Sequence, residues 1–384
     1  MWSGRWPICC FFLRSFPVDG ISLRSQLQMA FETGRIITYI LGYFIIGVSL
    51  VPLIRNDNWV FRIFEYPRAQ KLVINLILLV LFLWIADWQN IHSIVFTFLL
   101  SANALYLFYQ IFPYTIFAKH QLKGQTTPEE SKRFKLLVCN VYQENRKVES
   151  CLNCIDQYHP DIIILVETDN WWRAQLRALD EEYPYRVLKP LENTYGMLLF
   201  SKFELVDPRI EFLIEEGIPS IHTKVRLPSG DLFSLHCLHP QPPVPGENPR
   251  STERDAELLM IAKEAKNCKL PIVVAGDLND VAWSYTTELF MKISGLLDPR
   301  RGRGFFNTFH ANHWFLRWPL DHIFCSEHFQ LISLKRLPSI GSDHFPIFVE
   351  LGLSPERKAQ NREEQLQADQ EEAKVAEHKI EKAT

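Results

Sequence analysis

From Ile36 to Ile54 the chain runs for nineteen residues without a charged side chain. A second apolar run covers Leu72 to Ala86, and a third covers Ile94 to Phe112. The hydrocarbon core of a bilayer takes about twenty apolar residues of helix, and inside it every backbone polar group must be bonded within its own segment. The first and third runs meet that length, and the second meets it with its flanks. Three such runs so close together argue against buried helices of a water-soluble protein. They predict three transmembrane helices across residues 34–115. Trp84, Trp88, Tyr106, Tyr109 and Tyr114 supply amphipathic rings for the interfaces.

Three spans put the two ends of the chain on opposite faces. Arg55, Arg62, Arg68 and Lys71 lie in or beside the first loop, Lys119 and Lys123 follow the third span, and the second loop has no Lys or Arg. This bias places the downstream domain on the cytoplasmic side. Residues 1–33 form a separate N-terminal segment. Its run Ile8–Leu13 is too short for a signal-peptide core, and Met29 marks an alternative start just before the pattern becomes clear.

The net charge of -3 is unevenly spread. Residues 1–120 carry nine Lys/Arg against five Asp/Glu, whereas residues 121–353 carry 26 against 31. The hydrophilic part is therefore mildly acidic, without the basic footprint of a tight, non-specific duplex binder. Eight cysteines show no disulfide framework; Cys151 and Cys154 have CxxC spacing, but no second pair follows and they read as packing residues of a helix.

Residues 116–132 read as a polar linker. Strand-like and helix-like segments then alternate. Strands are expected at Phe134–Val141, Asp161–Val166, Arg186–Leu188, Met197–Ser201, Ile221–Val225, Leu232–Leu238, Ile272–Val274, Leu320–Cys325, Leu331–Leu337 and Pro346–Leu351. Helices are expected at Lys147–Tyr158, Asn170–Glu182, from a Ser251 cap to Lys266, and at Tyr285–Ile293. Mixed strands with helices between them predict a two-sheet α/β sandwich over 133–352. The charged tail, 353–384, has no sustained heptad and reads as solvated, partly helical or disordered.

The strand Ile272–Val274 ends at Gly276, and Asp277 and Asn279 follow two residues apart, so both side chains can point the same way. Glu167 closes the buried strand before it, Asn140 ends the strand before that, and His239 closes Leu232–Leu238. Asp321 opens one strand, and Ser342-Asp343-His344 precede the last. Any one of these could cap a turn. Packing does not explain so many together at strand ends. A carboxylate at the end of a buried strand needs a partner, and Mg2+ takes few protein oxygens while leaving room for water and phosphate.

Asn140, Pro160–Glu167, Gly196–Lys202, His239-Pro240, Gly276–Asn279, Leu320–Ile323 and Gly341–Pro346 occur in that order. They resemble the successive motifs of the endonuclease/exonuclease/phosphatase (DNase I-like) superfamily. The membrane-anchored arrangement, and His239-Pro240 with its Pro-rich loop, resemble bacterial members of that group. The resemblance implies a four-layered α/β/β/α sandwich after the transmembrane helices, a bacterial inner-membrane location, and hydrolysis of phosphoesters with Mg2+ or Mn2+. It implies Glu167 as principal metal ligand, with Asn140 and Asp343 beside it. Asp277 would orient or deprotonate the attacking water, Asn279 and His239 would hold phosphate oxygens, and His344, steadied by Asp321, would contact the scissile phosphate. One departure is Tyr142, where some nucleases carry an acidic residue.

The substrate stays open between lipid-linked, small-molecule and nucleic-acid phosphoesters. Phe305, Phe306, Phe309, His310, His313, Trp314, Phe315 and Trp318 crowd the approach to Asp321. Such a loop can stack on bases, dip into a membrane interface or pack on the sandwich. The competing class is a catalytically silent membrane scaffold that keeps the fold.

Overall fold

Apolar helices in lipid gain little from burying more apolar surface, so close backbone approach and polar contacts decide how they associate. The computed structural model, which describes residues 23–124 and 128–384, has three helices long and apolar enough to cross a membrane, at Leu23–Leu50, Arg68–Ile85 and Ile91–Ile111. Most of the N-terminal segment, including Ile8–Leu13, and Gln125–Thr127 of the linker lie outside the described residues. Inside the helical unit Asn75 donates to Leu100 O at 2.9 Å, and Asn103 donates to Asn75 Oδ1 at 2.9 Å. Both asparagines are buried, and each amide nitrogen has its acceptor within the unit.

The second unit comprises residues 50–70 and 107–384. Its strands are β1 (Arg133–Asn140), β2 (Ile162–Val166), β3 (Tyr185–Lys189), β4 (Met197–Ser201), β5 (Glu204–Glu211), β6 (Ser220–Arg226), β7 (Leu232–Leu238), β8 (Ile272–Asp277), β9 (Asp321–Cys325), β10 (Phe329–Arg336) and β11 (Ile347–Leu353). One sheet has the order β10-β11-β1-β2-β4-β3 and the other β5-β6-β7-β8-β9. Each sheet has one parallel pair, β1 with β2 and β7 with β8, flanked by antiparallel strands. Alternate residues of the two sheets, such as Leu136, Val138, Ile164, Leu235, Val273 and Ala275, face each other in a shared core. The remaining positions face outward, against helix Val148–Tyr158 on one side and helices Thr252–Asn267 and Tyr285–Ser294 on the other. That is the expected α/β/β/α sandwich.

Several details depart from the sequence reading. Strand β5 was not expected. It is an exposed edge strand interrupted by Pro208, with a register shift between Val206 and Arg209 and Asp207 at φ 51°, so its period is broken where Pro removes a ladder donor. Ser251 precedes its helix, but its ψ of 11° does not aim the hydroxyl at a helix N–H; the hydroxyl donates to Asp255 at 3.2 Å instead. The expected helix Asn170–Glu182 is broken into short turns. The tail is partly helical, as one of the expected forms, and much of it is exposed, but one face is packed on the sandwich. Gln370–Ala383 is a helix opened by an Asp369/Glu372 capping box, and its Ala376 is fully buried among the side chains of helices Thr252–Asn267 and Tyr285–Ser294. Cys151 and Cys154 are buried packing residues, as expected.

His222 and His236 are cross-strand partners on β6 and β7. Their Nδ1 atoms lie 2.6 Å apart, Ser220 Oγ is 2.7 Å from His222 Nε2, and Ser234 Oγ is 3.0 Å from His236 Nε2. All four ring nitrogens are engaged. Burial lowers the pKa of His222 to about 4 and of His236 to about 3. An unfolded chain therefore takes up protons from about pH 6.5 downward while the folded one does not, so stability is full at neutral pH and falls on acidification, by about 2 kcal/mol per ring at pH 5. Thermal unfolding of His222→Gln/His236→Gln should depend less on pH between 7 and 5 than unfolding of the parent chain. Ala376→Asp, which buries an unpaired charge, should lower stability by about 2–4 kcal/mol; a solvated tail would show no change.

Candidate active site

Parallel neighbours end together, and so the two parallel pairs deliver their last residues to one rim. Asn140 pairs with Val166, which puts Asn140 beside Glu167. Leu238 pairs with Gly276, which puts His239 beside Asp277. A Cβ on Gly276 would lie 1.9 Å from Leu238 O, so only glycine lets these two strands close at their ends. Gly196 does the same in the other sheet, where a Cβ would lie 1.8 Å from Thr168 O. Strand β9 runs antiparallel to β8 with Asp277 opposite Asp321, and His344 enters three residues ahead of β11.

The side chains meet across the gap between the sheets. Asn140 Nδ2 donates to Glu167 Oε1 at 2.7 Å and to Asp277 Oδ2 at 3.0 Å, tying one sheet to the other. Asn140 Oδ1 accepts from Tyr142 N at 2.9 Å, so the amide nitrogen, not the oxygen, faces the carboxylates. Glu167 stands at φ 58° and also accepts from Gln143 N at 3.3 Å. His344 Nδ1 is 2.8 Å from Asp321 Oδ2, and its Nε2 is 3.5 Å from Asp277 Oδ2. Thr308 Oγ1 accepts from the backbone N–H of Asp321 at 3.2 Å and fixes the start of β9. His239 is buried with Nδ1 unpartnered. Asp343 is half-buried beside Ser342 Oγ, 3.4 Å from its Oδ1. The structure thus brings together all eight residues singled out in the sequence.

Charge divides their roles. Burial pushes Glu167 up to about 7, and Asp343 and Asp277 add repulsion that the Asn140 hydrogen bond only partly offsets. Burial pulls His344 down, but Asp321 and Asp277 outweigh it and raise the ring to about 10, so His344 is a cation at neutral pH. Burial lowers His239 to about 4, leaving a neutral imidazole. Asp277, buried beside His344 and His239, is held below its ordinary value. Among the described residues the ion partner of this carboxylate group is His344.

Asp277, Asp321 and His344 are close enough for a metal, but the protonated ring has no lone pair to give, and it already bonds Asp321. The Glu167 side fits a cation better. It offers the carboxylates of Glu167 and Asp343, oxygen donors short of positive charge, in a half-exposed position. Asn140 holds Glu167 rather than adding an oxygen.

Residues not expected from the sequence also reach the rim. Tyr66 and Arg254 both donate to Asn279 O. Asp280 accepts from Ser284 Oγ at 2.5 Å and from Thr287 Oγ1 at 3.2 Å. No local spacing signals the first two; both act on a residue far away in sequence. The aromatic loop splits into two sets. Phe309 lies 4.9 Å from the His344 ring and Phe305 packs edge-on to Trp283 at 5.5 Å, whereas Trp314, Phe315 and Leu316 are exposed.

A model of the Endonuclease/Exonuclease/phosphatase family matches residues 137–344. No curated protein matches the chain. Among solved structures, the human Nocturnin catalytic domain is 18% identical, covering 58% of this chain and 95% of its own, with a TM-score of 0.48. An endonuclease/exonuclease/phosphatase from Bacteroides vulgatus is 19% identical over 58% of this chain and 99% of its own, at 0.46. TDP2 from D. rerio, complexed with a single-strand DNA product, is 16% identical over 57% of this chain and 99% of its own, at 0.45. At these identities the likeness concerns the fold alone.

The Asp321–His344 contact makes the two residues one unit. Asp321→Asn, His344→Ala and the double variant should each lose activity by a similar factor, on the order of a hundredfold or more, because groups acting together are not additive. Steady-state rates at a fixed divalent-metal concentration check this; multiplicative losses would show two independent roles.

Proposed function

The chain belongs to the Endonuclease/Exonuclease/phosphatase family, and from that membership and the rim geometry we propose that it is a membrane-anchored, divalent-metal-dependent phosphoester hydrolase. The observation that carries the reading is one cationic histidine, bonded to Asp321, set beside a cation-poor group of three carboxyl side chains, Glu167, Asp277 and Asp343. Attack on a phosphate needs positive charge where the phosphoryl oxygens gain negative charge, and a base or anion to orient water.

Glu167 and Asp343 would hold the ion, Mg2+ or Mn2+, with Asn140 fixing the Glu167 carboxylate. When bound, the ion supplies Lewis-acid neutralisation of the phosphate and lowers the pKa of water. Asp277, kept anionic, orients the water. His344 presents a donor to the phosphate, and its proton on Nδ1 is held by Asp321. His239 and one N–H of the Asn279 amide offer uncharged contacts to the remaining oxygens; the other N–H of Asn279 donates to Pro240 O at 2.9 Å.

A phosphoester at a bilayer surface, lipid-linked or small, suits the surroundings better than duplex nucleic acid. Trp314 is 85% exposed, and its neighbour Phe315 accepts through its carbonyl from Gln70, in the first turn of the second apolar helix, at 2.9 Å. Ile116 and Phe117, just beyond the third span, are also exposed. Amphipathic rings beside membrane segments sit well at headgroup depth. The charge bias favours the cytoplasmic side for the domain, and the resemblance favours a bacterial inner membrane.

The full chain, in detergent or vesicles, should hydrolyse an aryl phosphate or diester with Mg2+, and stop when EDTA removes the ion. Glu167→Ala should cut the rate about a hundredfold or more. Parallel assays on phospholipid vesicles, inositol phosphates, RNA and DNA would rank the substrates. Full activity in Glu167→Ala would defeat the assignment, and an intact fold that binds no Mn2+ in calorimetry would favour the silent scaffold.

A further inference from the structure

Residues 50–70 leave one apolar helix and enter the next, yet they pack as part of the unit that carries the rim. Trp59 N donates to Pro249 O at 2.9 Å, and Ser251 N donates to Asp57 O at 2.8 Å. Arg62 is 4% exposed; its Nη2 donates to Asp255 Oδ2 at 3.0 Å and to Thr286 Oγ1 at 2.7 Å, and its Nη1 donates to Glu65 Oε1 at 3.0 Å. Trp283 Nε1 donates to Glu65 O at 2.9 Å. A buried guanidinium with this many partners fixes the segment in one place, since losing any partner would leave a desolvated charge.

What the segment does there is seen at Tyr66. Its hydroxyl donates to Asn279 O at 3.0 Å, and Arg254 Nη1 donates to the same oxygen at 2.6 Å. Asn279 stands at φ 51°, a left-handed conformation that costs a non-glycine residue energy unless its surroundings impose it. Its N–H bonds Asp277 Oδ1 at 3.0 Å and its amide bonds Pro240 O at 2.9 Å. The carbonyl is the remaining backbone group, and two donors from distant parts of the chain hold it. With its N–H and its carbonyl both held, the main chain on either side of Asn279 is fixed, and with it the Cα that carries the amide bonded to Pro240 O. The Tyr66 ring also meets Trp318 edge-on at 5.8 Å, and Trp318 pairs with Phe309, which lies against His344.

We propose that Tyr66, with Arg254, is a positioning residue for Asn279, so that the segment between the first two apolar helices completes the catalytic centre. This rests on the reading of the rim as a phosphoester-hydrolysing site. Tyr66→Phe removes one hydroxyl and keeps the ring. In the full chain with Mg2+ it should lower kcat about tenfold with little change in KM. In an Asn279→Ala background the same substitution should have no further effect, because its influence passes through that amide. Arg254→Lys, which keeps the charge among Asp255 and Asp280, should behave in the same way.

An independent measurement does not need activity. Amide hydrogen exchange over residues 278–281 should speed up in Tyr66→Phe, while residues 162–167 stay unchanged. Equal losses in both backgrounds, together with unaltered exchange at 278–281, would overturn the proposal and leave Tyr66 a strut. A parent chain that hydrolyses no phosphoester would instead refute the hydrolase reading. In that case exchange alone decides, faster at 278–281 supporting the positioning role and unchanged rejecting it.

Discussion

Negative charge gathered where strands end is the constraint on which the rim depends. Glu167, Asp277, Asp321 and Asp343 converge with one cationic side chain among them, His344. Carboxylates so placed repel one another and lose water, and a flexible scaffold would let them part. The parallel pair β7/β8, closed at Gly276, and the antiparallel pair β2/β4, closed at Gly196, hold the backbones together whatever the side chains prefer. Asn140 then ties the sheets across the gap. The stability of a large sandwich core thus maintains a local arrangement that is unfavourable by itself, which is the usual condition of a site built to take up a cation and a charged ligand.

Much of this was legible because it is local. Buried β-branched runs end at a polar residue, and the period of two says which side chains share a face, so Glu167, Asp277 and His239 could be placed without coordinates. The helical spans were legible from length and lack of charge. What could not be read depends on partners far apart in the chain. Arg62 looks like a flanking charge of a membrane loop until Asp255 is placed beside it, 193 residues on. The tail reads as solvated because only a few of its residues are apolar, yet Leu366, Ala368, Ala373, Val375 and Ile380 all pack on one cluster. Strand β5 was hidden by Pro208 and its bulge, where the alternating pattern fails for a physical reason.

Loop and tail converge on the same carboxylate. Lys379, in the C-terminal helix, donates to Asp255 Oδ2 at 2.8 Å and to Asp57 Oδ1 at 2.9 Å, while Arg62 and Arg254 bond Asp255 from other sides. Asp255 is fully buried, and these cations hold its carboxyl well below the usual range despite the burial. The segment between the first two apolar helices and the C-terminal helix are therefore joined through one buried anion, and Arg254, which also bonds it, bonds Asn279 O.

The pairing of Arg62 with Asp255 also has a history. Arg62 leaves the ribosome 193 residues before its partner, which at about 5–20 residues per second is roughly ten to forty seconds. During that interval Arg62 has no Asp255 to meet, while two more apolar helices and strands β1 to β7 are still to be made. The ion pair can therefore close only after residue 255 has been made, so the first loop is fixed late, by the sandwich and not by its neighbours in sequence.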